Sequence, residues 1–147
     1  MLQIEFAELG DMDFLIGNSK LAESQIKTKI DNKEVLIARK ESQQVGYLIF
    51  DFLWGHIPFI SFVNVLPEYQ REGIGKSLLR FLEEHLSKDS TVLFSSSMEN
   101  AISAQAWHKK MGFVDSGIIY KINEDKSAEV FFRKQLIVSE RNSYGLT

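Results

Sequence analysis

Apolar and polar positions alternate from the start of the chain. Leu2, Ile4 and Phe6 interleave with Gln3 and Glu5, the period-two pattern of a half-buried strand. Residues 11–30 read as one or two helices on a loose apolar stripe of Phe14, Leu15, Leu21 and Ile26. A turn at 31–33 leads to a strand over 35–38, and Glu41-Ser42-Gln43-Gln44 forms a polar link to a strand over 45–53. Gly55 turns the chain into 57–65, apolar on both faces as a central strand should be. Then the period changes. Ile74, Leu78, Leu82 and Leu86 fall on one helical stripe flanked by Leu79 and Phe81, with Glu83, Glu84 and Lys88 on the wet side. Residues 91–94 form a short buried strand, parallel to the one before if the helix is its crossover. A second helix fits 100–113, with Asn100 as N-cap, Gly112 at C′, and Lys109 and Lys110 in the last turn. Residues 113–122 and 128–136 predict a hairpin turned at 123–126. The sum is a mixed α/β sheet with helices on both faces, in one domain over 1–138 with a polar tail over 139–147.

The junction between the central strand and the first long helix carries the chemistry. It reads Val63-Asn64-Val65-Leu66-Pro67-Glu68-Tyr69-Gln70-Arg71-Glu72-Gly73-Ile74-Gly75-Lys76-Ser77. Glycines leave backbone N–H groups open at a helix start, where the first N–H groups have no internal acceptor and the macrodipole is positive. Arg71 and Lys76 add two cations where cations alone are disfavoured, which points to an anion offsetting them.

Spacing separates three phosphate motifs. A Walker loop, G-x-x-x-x-G-K-[ST], is completed at its end by Gly75-Lys76-Ser77 but needs glycine at 70, which is Gln70. A dinucleotide fingerprint needs glycine at 78, which is Leu78. The third pattern, a V-x-P turn followed by Gln/Arg-x-x-Gly-x-Gly/Ala, is complete in Val65-x-Pro67 and Gln70-Arg71-Glu72-Gly73-Ile74-Gly75. It resembles the acetyl-CoA pyrophosphate loop of the GNAT-type N-acetyltransferases. The second helix adds to the resemblance, because Trp107-His108-Lys109-Lys110-Met111-Gly112-Phe113 is similar to the family's aromatic-Tyr-…-Gly-Phe ending. The resemblance covers roughly 35–135.

The resemblance implies a central, mostly antiparallel sheet of about six to seven strands, with a splayed parallel pair at the cofactor cleft. It implies acetyl-CoA as co-substrate, its pyrophosphate held from Gln70, Arg71, Glu72, Gly73, Ile74, Gly75, Lys76 and Ser77, its pantetheine arm on the backbone of Val63 and Val65, and a contact from Asn100. The family's tyrosine, often assigned as proton donor to the leaving thiolate, is His108 here. An imidazolium near pH 6.5 could protonate a thiolate near 8.5, so His108 is the candidate acid. A helical histidine hydrogen-bonded to a neighbour explains the same residue. Asn100 stands one residue further from that position than the family's usual asparagine.

Composition narrows the partners. The 147 residues suffice for a core, and 44% hydrophobic with 25% charged describes an ordinary globular chain. A net charge of −3 with scattered Lys and Arg gives no nucleic-acid signature. No cysteine is present, which removes disulfides, thiolate metal sites and a cysteine nucleophile. The three histidines lack metal-ligand spacing, so no metal is expected. Neither a signal pattern nor an apolar run of membrane-spanning length occurs, so a cytoplasmic location without a membrane partner is expected.

These readings predict transfer of an acetyl group from acetyl-CoA to a primary amine by direct attack, since no G-x-S-x-G elbow supports a covalent intermediate. Asp51, Glu99 or an ordered water are candidates for the base. The acceptor, a small molecule or a peptide amine, is left open, and so is homodimer formation through edge strands. The rivals are a non-catalytic, regulatory acyl-CoA-binding domain and, lower, an NTP switch built on Gly75-Lys76-Ser77.

Overall fold

The alternating start of the chain becomes β1 (Leu2–Phe6), and the loose stripe after it becomes α1 (Met12–Asn18) and α2 (Glu23–Asp31). The computed structural model describes residues 1–137, so the tail expected over 139–147 lies outside the described residues. There follow β2 (Val35–Lys40), β3 (Gln43–Leu53), β4 (Ile57–Val65), α3 (Ile74–Leu86), β5 (Val92–Met98), α4 (Ile102–Lys110), β6 (Val114–Ile119) and β7 (Glu129–Gln135). The seven strands take the order β1-β2-β3-β4-β5-β7-β6. Pairing is antiparallel in β1–β2, β2–β3, β5–β7 and β6–β7, and parallel in β4–β5, where Phe59 faces Phe94 and Ile60 faces Ser95. The mixed, mostly antiparallel α/β fold read from the sequence is therefore the fold observed.

The chain divides into two compact units. The first comprises Met1–Asp51 and Ser61–Leu82, the second Phe52–Ile60 and the chain from Glu83 onward.

In the first unit, Leu15, Ile26, Ile30, Val35, Ile37, Tyr47 and Ile49 form a buried cluster with Ala7, and Phe14, Leu21 and Phe62 pack against it. The period-four stripe of α3 lies inside as predicted, with Ile74, Leu78 and Leu82 buried. Phe6 meets Phe81 edge-on at 5.5 Å. Asp11 is a buried carboxylate that accepts hydrogen bonds from the Glu8 N–H, Gln44 Nε2 and Arg39 Nη2 at 2.8–2.9 Å. Such a group is tolerable only because charge and lone pairs are both satisfied. The β2–β3 link is shorter than the four polar residues expected. Lys40 pairs with Gln43, leaving Glu41 (φ 51°) and Ser42 (φ 67°) as a two-residue turn. Two left-handed central residues are what the right-handed twist of a tight hairpin demands.

In the second unit, Leu86, Leu93, Phe113, Ala128, Phe132 and Leu136 are buried. β5 extends past the expected 91–94 to Met98, with Leu93, Ser95 and Ser97 on its buried face. Two further expectations need correction. Glu83 is not on the wet side; its carboxylate pairs with Lys134 at 2.5 Å and is only 21% exposed. Asn100 is not the N-cap of α4, which is Ala101 without a side-chain cap. The C-terminus of α4 ends as expected. Gly112 (φ 95°) follows Met111, its N–H donates to Lys109 O and that of Phe113 donates to His108 O, the paired bonds of a Schellman motif.

Candidate active site

Local rules set the loop after β4. The turn Pro67–Tyr69 starts on proline, and Gln70 then extends, its Nε2 donating to Val65 O at 3.1 Å. Arg71 (φ 69°) and Gly73 (φ 79°) are both left-handed. The Ser77 N–H donates to Gly73 O at 3.0 Å, the first helical bond of α3. The N–H groups of Ile74, Gly75 and Lys76 precede it and have no acceptor within the helix. Buried Ile74 anchors this helix start, so only its backbone is available to a ligand. Arg71, Gly73 and Lys76 are exposed.

Two features fit an anion here. A Cβ at Gly73 would meet nothing within 4 Å, so the space above the glycine is open, and its φ excludes most other residues. The acidic side chain beside it, Glu72, is drawn to Lys40, whose ammonium also lies 5.8 Å over the Tyr69 ring. Bent backbone, N–H groups without an acceptor inside the helix and two cations are the chemistry that a pyrophosphate requires. Val63 and Val65, on β4 immediately before, are half-buried. All of these residues belong to the first unit.

Asn100 and His108 belong to the second unit. Asn100 is exposed ahead of α4, and its carbonyl accepts the Ile102 N–H at 3.1 Å. His108 is 3% exposed, and both ring nitrogens are engaged. Nδ1 lies 2.7 Å from Ala104 O, and Nε2 lies 2.7 Å from Ser95 Oγ. A carbonyl can only accept, so Nδ1 carries the proton and Nε2 accepts from the serine hydroxyl. The ring stacks on Phe132 at 4.5 Å and meets Trp107 and Phe113 edge-on. Burial holds its pKa below the ordinary 6.5, and the Ala104 carbonyl offsets this only in part. As placed, His108 is a neutral imidazole without a free N–H. Ser95 was not singled out by its sequence context; its one signal is that Leu93, Ser95 and Ser97 share a parity on β5. The Ser97 hydroxyl is buried without a hydrogen-bond partner among the described residues.

The candidate bases differ in their surroundings. Glu99 accepts the Ala128 N–H through its carboxylate, so it ties the end of β5 to the start of β7. Asp51 accepts from Lys29 and from Ser61, and it borders a cavity of about 540 Å³ in the first unit. Trp54 is 84% exposed at the β3–β4 turn with φ 52°. Among the described residues no three His, Cys, Asp or Glu side chains gather as a metal site requires, and no helix is long and apolar enough to cross a membrane.

Comparison with known proteins identifies the family and the fold. Residues 6–113 match the family model for the Acetyltransferase (GNAT) family. Among solved structures, a GNAT-family acetyltransferase from Bacillus cereus ATCC 10987 is 25% identical, with a TM-score of 0.76 over 93% of this chain and 99% of that one. The ribosomal-protein-S18-alanine N-acetyltransferase of Escherichia coli superposes with a TM-score of 0.79 at 17% identity, covering 97% of this chain and 98% of that one. A streptothricin-acetyltransferase-type protein from Bacillus anthracis str. Ames, solved in complex with acetyl coenzyme A, gives 0.79 at 16% identity over 93% and 99%. A search of curated protein sequences returns no match.

Proposed function

The chain belongs to the GNAT acetyltransferase family, and from that premise we propose that it transfers the acetyl group of acetyl-CoA to a primary amine by direct attack. The observation that carries this reading is the loop from Gln70 to Ser77, with left-handed Arg71 and Gly73, an open space over Gly73, and exposed Arg71 and Lys76. Backbone N–H groups from Arg71 through Lys76 hold the pyrophosphate, and the two cations balance its charge. The backbone of β4 at Val63 and Val65 takes the pantetheine arm, and Asn100 adds a contact. Attack by a neutral amine on the thioester carbonyl expels the CoA thiolate. Acceleration comes mainly from positioning the two reactants.

The buried His108 fits a positioning role better than that of the acid expected from the sequence. It lacks a free N–H, and burial disfavours the imidazolium that would protonate a thiolate. A thiol of ordinary pKa near 8.5 leaves as thiolate near neutral pH without an obligatory acid. The same observation supports the rival reading, an acyl-CoA-binding domain that does not turn over.

A thermal-shift titration with acetyl-CoA, CoA and ATP, followed by thiol release against a panel of amines, separates the readings. A ligand that binds only the folded state raises the midpoint as its concentration passes Kd. Shifts with both CoA species but little with ATP, together with amine-dependent thiol release, are expected. Shifts without release against any amine would favour the binding domain. No shift with either CoA species at millimolar concentration would remove both.

A further inference from the structure

The cavity of about 540 Å³ in the first unit is lined by Leu21, Thr28, Lys29, Asp51, Ser61 and Phe62, among others. That volume lies within the range of small-molecule sites and is too small for a folded partner. Ser61 and Phe62 stand on β4 just before Val63, on the side away from the Gln70–Ser77 loop. If the arm of the co-substrate runs along Val65 and Val63, the cavity opens at its reacting end.

Its charge is specific. Lys29 is only 13% exposed and donates to Glu34 at 3.0 Å, to Phe50 O at 2.6 Å, and to Asp51. An ammonium has three N–H donors, so all three are committed and none is left for an anionic ligand. Of these charged groups only Lys29 and Asp51 line the cavity, and the carboxylate is far more exposed than the ammonium, so the charge a ligand meets is that of Asp51. Asp51 accepts from Lys29 through Oδ1 and from Ser61 through Oδ2. Each carboxylate oxygen can take a second hydrogen bond, and the side chain is 49% exposed. Leu21 and Phe62 supply apolar wall beside it. The cavity thus joins an open carboxylate to an apolar wall, while its one cation is spent.

We propose that this cavity is the acceptor site and selects a small aliphatic amine with a second cationic group, the distal ammonium held by Asp51 and the methylene chain lying along Leu21 and Phe62. The proposal rests on the acetyl-transfer reading and adds a substrate class to it. Asp51 acts on the far end of the acceptor and determines specificity.

The test uses three acceptors of equal chain length that differ in the charge of the far end: 1,4-diaminobutane, n-butylamine and 4-aminobutanoate. Binding to the CoA-loaded protein is read by calorimetry and acetylation by thiol release. The diamine should lead and the amino acid trail. Asp51→Asn should cut the preference for the diamine over n-butylamine by roughly tenfold to a hundredfold, as loss of a charged hydrogen bond does. Ser61→Ala, which keeps the carboxylate, should retain the preference for the diamine. An equal loss for diamine and monoamine, no change for either, or neither binding nor turnover of any of the three overturns the proposal. The acetyl-CoA thermal shift of wild type and Asp51→Asn reports separately: if it persists, the family-based reading stands when the cavity assignment fails.

Discussion

Ser95 on β5 gives its hydroxyl proton to Nε2 of His108 on α4 across 2.7 Å, and the pair is almost fully buried. Two residues on, Ser97 shares the same buried face of the strand, but its hydroxyl has no hydrogen-bond partner among the described residues. Two serines of equal size on one face should therefore respond differently to the same change. Ser95→Ala leaves an imidazole nitrogen buried without a donor and should destabilise by about 1–3 kcal/mol. Ser97→Ala removes a hydroxyl that already lacks a partner and should fall within about 0.5 kcal/mol of wild type or above it. Urea denaturation midpoints at neutral pH check this, and similar losses for the two variants would contradict the assignment.

The protonation state of His108 has a consequence for pH. Burial lowers its folded pKa below the ordinary 6.5, with partial compensation from the Ala104 carbonyl. Between the two pKa values the unfolded chain binds the extra proton, so stability rises with pH there. The contribution is fully present above about 6.5 and is lost as pH falls towards the folded pKa. A His108→Gln variant should be less stable than wild type at neutral pH, and the gap should narrow on acidification. Denaturation at neutral pH and near pH 5 measures both. A gap that widens in acid would mean that the buried imidazole is charged. For turnover, the kcat/KM profile should show no alkaline limb that disappears in this variant, as it would if His108 were the essential acid.

Gly73 combines a left-handed φ of 79° with open space where a Cβ would stand. Gly73→Ala should therefore meet no clash, and its effect should be conformational, about 1 kcal/mol of strain or a relaxed loop. A relaxed loop turns the N–H groups of residues 72–74 away from a pyrophosphate. CoA affinity should fall by about tenfold or more while the folded-state midpoint drops only slightly. Calorimetry against CoA, beside a thermal melt without ligand, separates the two effects. Equal affinity for wild type and variant would place the anion elsewhere.

The parts of this protein legible in its sequence are those fixed by local pattern. The stripe Ile74, Leu78, Leu82, Leu86 admits one helical face, and Gly112 admits one helix end. The strand over 57–65 follows from its continuous apolar run. Less legible were features decided by distant partners. Ser95 to Ser97 lie beyond the strand expected over 91–94, yet pairing with Phe132 to Val130 draws them into the sheet. His108 could be reacting acid or core residue until Phe132 was found stacked against it and Ser95 bonded to it. Asp51 stood in the sequence only as a candidate base, because neither Lys29, 22 residues back, nor Ser61, 10 residues on, could be inferred from spacing.

The turn between β2 and β3 offers a prediction free of any functional reading. Glu41 and Ser42 both sit at positive φ, 51° and 67°, in a two-residue hairpin. Backbone geometry of this kind is best met by Asn-Gly, whereas residues with larger or branched polar side chains hold it against a steric penalty. The Glu41 side chain pairs with the amino terminus, but both groups are at least 80% exposed, and an exposed ion pair contributes little. Replacing Glu41-Ser42 by Asn-Gly should therefore stabilise the protein by about 1 kcal/mol, even though it removes an ion pair and adds a flexible glycine. The gain should appear in the denaturation midpoint with an unchanged slope, since the surface exposed on unfolding is the same. A loss of stability would mean that Glu41 and the amino terminus contribute more than exposed pairs do, and 0.5 M salt would then narrow the difference by screening them.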